Sequence, residues 1–130
     1  MRSIVGTWRL VAAAAHDRNG QPLPPPYGGE GMGRVTFSEH GRMMSVVCDG
    51  RPELPAGAQR DYSSYCGNYT FDGARLVTTV DAASDPGRIG SDQVRDVQFE
   101  GERMILRPPP RRSGAGVEQR ELTWERIATE

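Results

Sequence analysis

Residues 31–48 read Gly31-Met32-Gly33-Arg34-Val35-Thr36-Phe37-Ser38-Glu39-His40-Gly41-Arg42-Met43-Met44-Ser45-Val46-Val47-Cys48, and this pattern decides the fold. From Gly33 to Phe37, polar residues alternate with apolar or small ones, the period of a half-buried strand. A glycine-bearing turn and a second apolar run follow, as in a hairpin. With His40 and Gly41 as a two-residue turn, glycine second, Phe37 opposes Met44, Val35 opposes Val46 and Gly33 opposes Cys48. Arg34 and Thr36 fall on the other face. The same unit recurs twice. Around Asp72-Gly73, Tyr69 opposes Leu76, Gly67 opposes Thr78 and Tyr65 opposes Val80. Around Glu100-Gly101, Val97 opposes Met104 and Arg95 opposes Leu106.

Working outward from these hairpins gives eight strands, at about 5–15, 31–37, 42–48, 64–71, 74–81, 93–99, 102–107 and 118–127. The tight turns alternate strictly with long connections rich in proline and glycine, at 21–30, 49–60, 82–92 and 108–117. One helical turn is expected within 56–63. In an up-and-down meander every tight turn lies at one end and every long loop at the other. One pole is then closed and the opposite pole is a mouth. The expected fold is all-β: an eight-stranded antiparallel up-and-down β-barrel, one domain over residues 1–130, with long loops at its open end. A closed sheet of this size encloses room for one small ligand. A solid sandwich core would give the same alternation, so the pattern by itself does not establish a hollow.

Composition bounds the partners. The chain has 130 residues, enough for one real core, and a net charge of −1, which implies neither nucleic acid nor an anionic membrane surface. Arg9 interrupts the apolar N-terminal run, and no segment approaches the roughly 18 apolar residues of a membrane span. A cytoplasmic location is expected, with Cys48 and Cys66 as free thiols. His16 and His40 fall at opposite ends of the barrel, and the cysteines stand alone, so metal-ligand spacing is missing. The glycines at 28–33 lack the preceding strand and following helix of a phosphate-binding loop. No metal and no cofactor are expected.

Side chains that could bind a ligand cluster by parity. Trp8, Trp124 and Arg126 belong to the closed pole, where two indoles seal the base and a guanidinium stacks on one of them. Above Trp124 the same face carries Leu122 and then Arg120; above Val97 it carries Arg95 and Gln93. Tyr65 and Cys48 lie near the mouth. The barrel would have an apolar lower half and a ring of donors, Arg95, Arg120, Gln93 and Tyr65, above it. An inward arginine is costly unless paired. Asp81, Asp92 and Glu118 near the rim could pair with them, giving a salt-bridged rim. The other reading is that the arginines grip an anionic group, with a carboxylate matching their fork. The expected lining is Val35, Phe37, Met44, Val46, Cys48, Tyr65, Tyr69, Leu76 and Thr78, continuing through Gln93, Arg95, Val97, Met104, Leu106, Arg120 and Leu122.

Several local signatures then bring a family into view. Gly6-Thr7-Trp8-Arg9-Leu10-Val11 opens the chain, Gly41-Arg42-Met43 follows the first turn, and Tyr65-Cys66-Gly67-Asn68-Tyr69 precedes an Asp-Gly turn. Asp85-Pro86 leads to Ile89-Gly90-Ser91-Asp92-Gln93-Val94-Arg95, and Leu122-Thr123-Trp124-Glu125-Arg126 closes the chain. In order and spacing these resemble the bacterial lipocalin-like domain family, among the calycin-type barrels. The resemblance implies a barrel with an internal pocket and no particular chemistry. Where the family often carries histidine this chain has Thr78 and Thr79, and Arg88 stands near a usual large aromatic, which puts histidine-based catalysis in doubt.

Three functional readings remain. The first is a binding protein for a small, largely apolar molecule with a polar or acidic head. The second is a cofactor-free cyclase, isomerase or dehydratase, with Arg95, Tyr65, Tyr69 and Arg120 as acid or electrophilic groups and Asp81 as a less favoured, outward base. The third is a filled barrel that associates through an outer face of Val47, Val77 and Ile105, as a homodimer. Loop asymmetry and inward donors favour a pocket over a filled barrel.

Overall fold

A computed structural model describes residues 2–114 and 116–129. Among the described residues nine strands form: β1 (Gly6–His16), β2 (Gly31–Phe37), β3 (Arg42–Asp49), β4 (Tyr62–Phe71), β5 (Arg75–Ala83), β6 (Asp92–Glu100), β7 (Arg103–Arg107), β8 (Arg111–Ser113) and β9 (Gly116–Ala128). Each of β1 to β6 pairs with the next, β7 pairs with β9, and β9 returns to β1, closing an eight-stranded antiparallel barrel in up-and-down order. The eight expected strands are present with ends displaced by no more than two residues. The short strand β8 is a correction: part of the expected 108–117 loop folds back on β9, with Arg111 opposite Glu118 and Arg112 opposite Val117. Residues 56–63 contain no helix; 3-10 turns occur instead at Pro26–Gly29 and Pro86–Arg88.

The turns differ from expectation in an instructive way. Between β2 and β3 the loop has three residues, 39–41, because Ser38 N–H donates to the Arg42 carbonyl at 2.8 Å. Gly41 takes the left-handed conformation (φ +87) that ends such a loop, and Ser38 Oγ accepts from the backbone N–H groups of His40 and Arg42. Phe37 therefore faces Met43, not Met44, and Val35 faces Ser45. A one-residue slip exchanges the two faces of a strand. Met44, Val46 and Cys48, expected inside, lie on the outer face, with Met44 55% exposed, while Met43, Ser45 and Val47 point in. The apolar pattern could not arbitrate, since β3 offers a methionine and a valine to either face.

The other hairpins shift by two residues, which preserves the faces. Phe71 pairs with Leu76 and Phe99 with Met104, across loops Gly73-Ala74 and Gly101-Glu102. Glycine comes first, not second, with φ +99 and +58 respectively. Asp72 Oδ1 reinforces its turn by accepting from the N–H groups of Ala74 and Arg75.

The closed half is solidly packed. Trp8, Phe37, Met104 and Leu76 are buried, and Phe37 meets Tyr69 edge-to-face at 5.2 Å. Large side chains of this kind each contribute about 1.5–3 kcal/mol on burial. Trp8 Nε1 donates to the Ile4 carbonyl at 3.0 Å, and the Arg126 guanidinium lies 4.3 Å from the Trp8 ring centroid. The expected seal of indole and stacked guanidinium is thus made on Trp8.

Candidate ligand site in the open half of the barrel

Above this packed base the barrel is hollow. A cavity of about 570 Å³ opens toward the long loops, a volume typical of small-molecule sites. Val35, Leu76, Leu106 and Leu122 form its apolar wall, joined by Met43 and Val47 from the inner face of β3. Of the residues expected to line it, Tyr65, Gln93, Arg95 and Arg120 also do so. Phe37, Tyr69, Thr78, Val97 and Met104 belong to the interior but do not line the cavity. Trp124 both joins that base and meets the cavity, although its Nε1 is buried with no acceptor among the described residues.

Two of the five candidate catalytic groups lie elsewhere. Tyr69 donates its hydroxyl to the Ser38 carbonyl at 2.6 Å, beside the first tight turn at the closed pole. Asp81 is on the outer surface, where Arg42 grips it and the Cys66 thiol donates to it at 3.5 Å. The hydrogen bonds from Arg42 hold its carboxyl below the usual range. The expected dimer face also dissolves, since Val47 and Ile105 are only 4% and 5% exposed.

At the mouth the charges sort into two kinds. Glu118, mostly buried, accepts from Arg111 at 2.6 Å and from Arg120 at 3.0 Å. Burial opposes its charge, but these two guanidinium hydrogen bonds outweigh burial and keep its pKa below the ordinary value. For Arg120 the salt-bridged reading therefore holds. Asp92, the other expected partner, instead accepts from Thr79 on the exposed side.

Arg95 and Arg88 are different. Neither forms an ion pair among the described residues. Arg95 donates to the Val94 carbonyl at 2.7 Å and to Gln93 Oε1 at 3.4 Å. Arg88 donates to the same Oε1 at 2.7 Å and to Ser63 Oγ at 3.0 Å, and its guanidinium lies 4.9 Å from the Tyr65 ring centroid. Gln93 Nε2 donates to Ser91 Oγ, which donates to the Arg88 carbonyl, so the amide is oriented with its oxygen toward both cations. Two half-buried guanidiniums thus share one neutral acceptor within a cavity wall.

Tyr27 is another cavity residue absent from the expected lining. It follows the three prolines 24–26 and lines the cavity from the mouth loop between β1 and β2. Its backbone is left-handed (φ 57, ψ 36), and it is the sole non-glycine residue so placed among those described. For an L-residue this conformation costs about 1–2 kcal/mol. Gly28 and Gly29 continue it with φ +67 and +78. A Cβ on Gly28 would collide with the Arg51 guanidinium, which is fixed by the buried Asp49 carboxylate at 2.6 Å. Burial raises the pKa of the Tyr27 hydroxyl, with Arg120 pulling the other way, so the phenol stays protonated at neutral pH.

A sequence model of a lipocalin-like domain family matches residues 5–127. This chain belongs to that lipocalin-like family. No match is found among curated proteins. A solved structure of an uncharacterized protein from Bacteroides eggerthii is similar to this lipocalin-like barrel at 12% identity and a TM-score of 0.49, covering 96% of this chain and 100% of that one. So distant a likeness adds nothing to the reading of the site. Among the described residues of the lipocalin-like chain, no helix is long and apolar enough to cross a membrane.

Proposed function

We propose that the barrel binds a small, largely apolar molecule through an acidic head, with Arg95 and Arg88 receiving the head's carboxylate. One observation carries this reading: both guanidiniums line the cavity without a carboxylate partner and are held by a neutral amide. Half-buried cations in that state are poorly compensated, and an incoming carboxylate would supply the missing charge and two strong acceptors. The aliphatic wall below them suits an apolar body. Binding is preferred over catalysis because Tyr69 and Asp81, two of the groups a reaction was expected to use, face away from the cavity.

The test is calorimetric titration with an apolar carboxylic acid and with its primary amide. A hydrogen bond to a charged partner contributes about 1.5–3 kcal/mol, so Arg95→Ala and Arg88→Ala should each weaken acid binding by roughly ten- to a hundredfold. The amide should respond far less. Equal affinity of wild type and both variants for the acid would end this reading.

A further inference from the structure

Tyr27 is held in a costly backbone conformation by a built bracket. Asp49, 2% exposed at its side chain, binds Arg51 through both carboxylate oxygens. Arg51 lies against the bare backbone of Gly28, leaving no room for a side chain there. The Gly50 N–H donates to the Glu30 carbonyl at 2.8 Å, tying the far end of the turn to the end of β3. These contacts point the tyrosine into the cavity, where its ring packs on the buried cluster. Strain retained at a cavity wall, and maintained by neighbours, is the kind of outlier from which function can be inferred.

The hollow is also short. Trp124, with Val35 and Met43 of the same buried cluster, forms its floor, and Arg120 lines it nearer the mouth. Four residues of strand separate Arg120 from Trp124, roughly 10 Å along the axis of a barrel with tilted strands. The level below is filled by Phe37, Tyr69 and Met104.

We propose that Tyr27 determines the specificity of the cavity: its ring limits the space beneath the mouth to compact, ring-sized acids, and its hydroxyl is a third donor to the carboxylate held by Arg88 and Arg95. This rests on the acid-binding reading above. Tyr27 lines the same cavity as Arg88, Arg95 and Arg120, which puts its hydroxyl in the compartment that would hold the head group. Long-chain acids are excluded because floor and ring leave no length for them.

The test uses the full chain and three probes, 1-naphthylacetate, its primary amide and hexadecanoate, titrated into wild type, Tyr27→Phe and Tyr27→Asn. Asparagine tolerates the left-handed backbone, so its variant removes the ring while retaining the turn. Wild type should prefer naphthylacetate to hexadecanoate by at least about tenfold. Loss of one hydrogen bond in Tyr27→Phe should weaken naphthylacetate by roughly three- to tenfold and leave the amide nearly unchanged. Tyr27→Asn should abolish the preference between the two acids. If both variants keep the wild-type affinity and preference while Arg88→Ala and Arg95→Ala lose binding, Tyr27 has no such role and the acid site stands. A wild type that prefers hexadecanoate overturns the compact-ligand claim. If wild type binds neither acid, the head site itself is wrong and this inference falls with it.

Discussion

Replacing Arg95 with glutamine in the ligand-free protein should leave it as stable as wild type or more so, whereas Arg120→Gln should destabilise it. Arg88 and Arg95 each donate to Gln93 Oε1, at 2.7 and 3.4 Å, which places those two nitrogens no more than about 6 Å apart. Two unit charges at that separation repel by about 0.7 kcal/mol in water and about 3 kcal/mol at an effective dielectric constant of 20. The mouth is half-exposed, so a value near 1–2 kcal/mol is appropriate. Arg95→Gln removes this repulsion and also the hydrogen bond to the Val94 carbonyl, about 1 kcal/mol. The net change lies between zero and about +1 kcal/mol. Arg120→Gln instead deprives the buried Glu118 of one of its two guanidiniums, costing about 1–3 kcal/mol. In a domain of this size 1 kcal/mol moves the thermal midpoint by roughly 3–5 °C. Melting curves of the ligand-free proteins at low and high salt separate the cases, since salt should stabilise wild type more than Arg95→Gln by screening the repulsion. An Arg95→Gln midpoint that falls as far as that of Arg120→Gln would refute the idea of an uncompensated cation pair.

Two further expectations follow from the fold and the mouth. Met43→Ala, at a buried inner position, should cost about 2 kcal/mol or more, while Met44→Ala, 55% exposed, should stay within about 0.5 kcal/mol; urea unfolding with the opposite ranking would mean that the two-residue turn is correct after all. Acid should unfold the chain partly through Asp49 and Glu118, whose folded pKa values are lowered, the first by hydrogen bonds from Arg51 and the second by Arg111 and Arg120 against burial. Because the folded values lie below the unfolded ones, their stabilisation is complete above the ordinary carboxylate range near pH 4 and fades as pH falls through the folded values. Urea midpoints measured from pH 7 to pH 2.5 should therefore decline below about pH 4, less steeply in Glu118→Gln; a variant profile parallel to wild type would remove Glu118 from that account.

How much of this was legible in the chain differs from one element to the next. Alternation, glycine-bearing turns and long loops on every second connection were enough for the closed eight-stranded meander. They also placed Arg95 and Gln93 on the inner face of β6, because an error of two residues in a hairpin leaves every face unchanged. The same method failed on β3, where Met43-Met44 and Val46-Val47 make both faces apolar and only the Ser38-capped turn chooses between them. Arg88 and Tyr27 gave no periodic signal, since both sit in loops. The nearest hint was the proline run before Tyr27 and its placement in a mouth loop.

Strand periodicity is a local property, carried by neighbouring residues, and so the chain alone determined a barrel with a closed pole, an open pole and an inward arginine. Whether that arginine is neutralised depends on groups distant in sequence, and only the folded chain decides it. Glu118 and Arg120 pair locally, two residues apart on β9, whereas the fold left Arg95 beside Arg88 and set the strained Tyr27 in the same cavity wall. Electrostatic compensation is a matter of separations of a few ångströms across strands and loops, which no pattern along the backbone encodes.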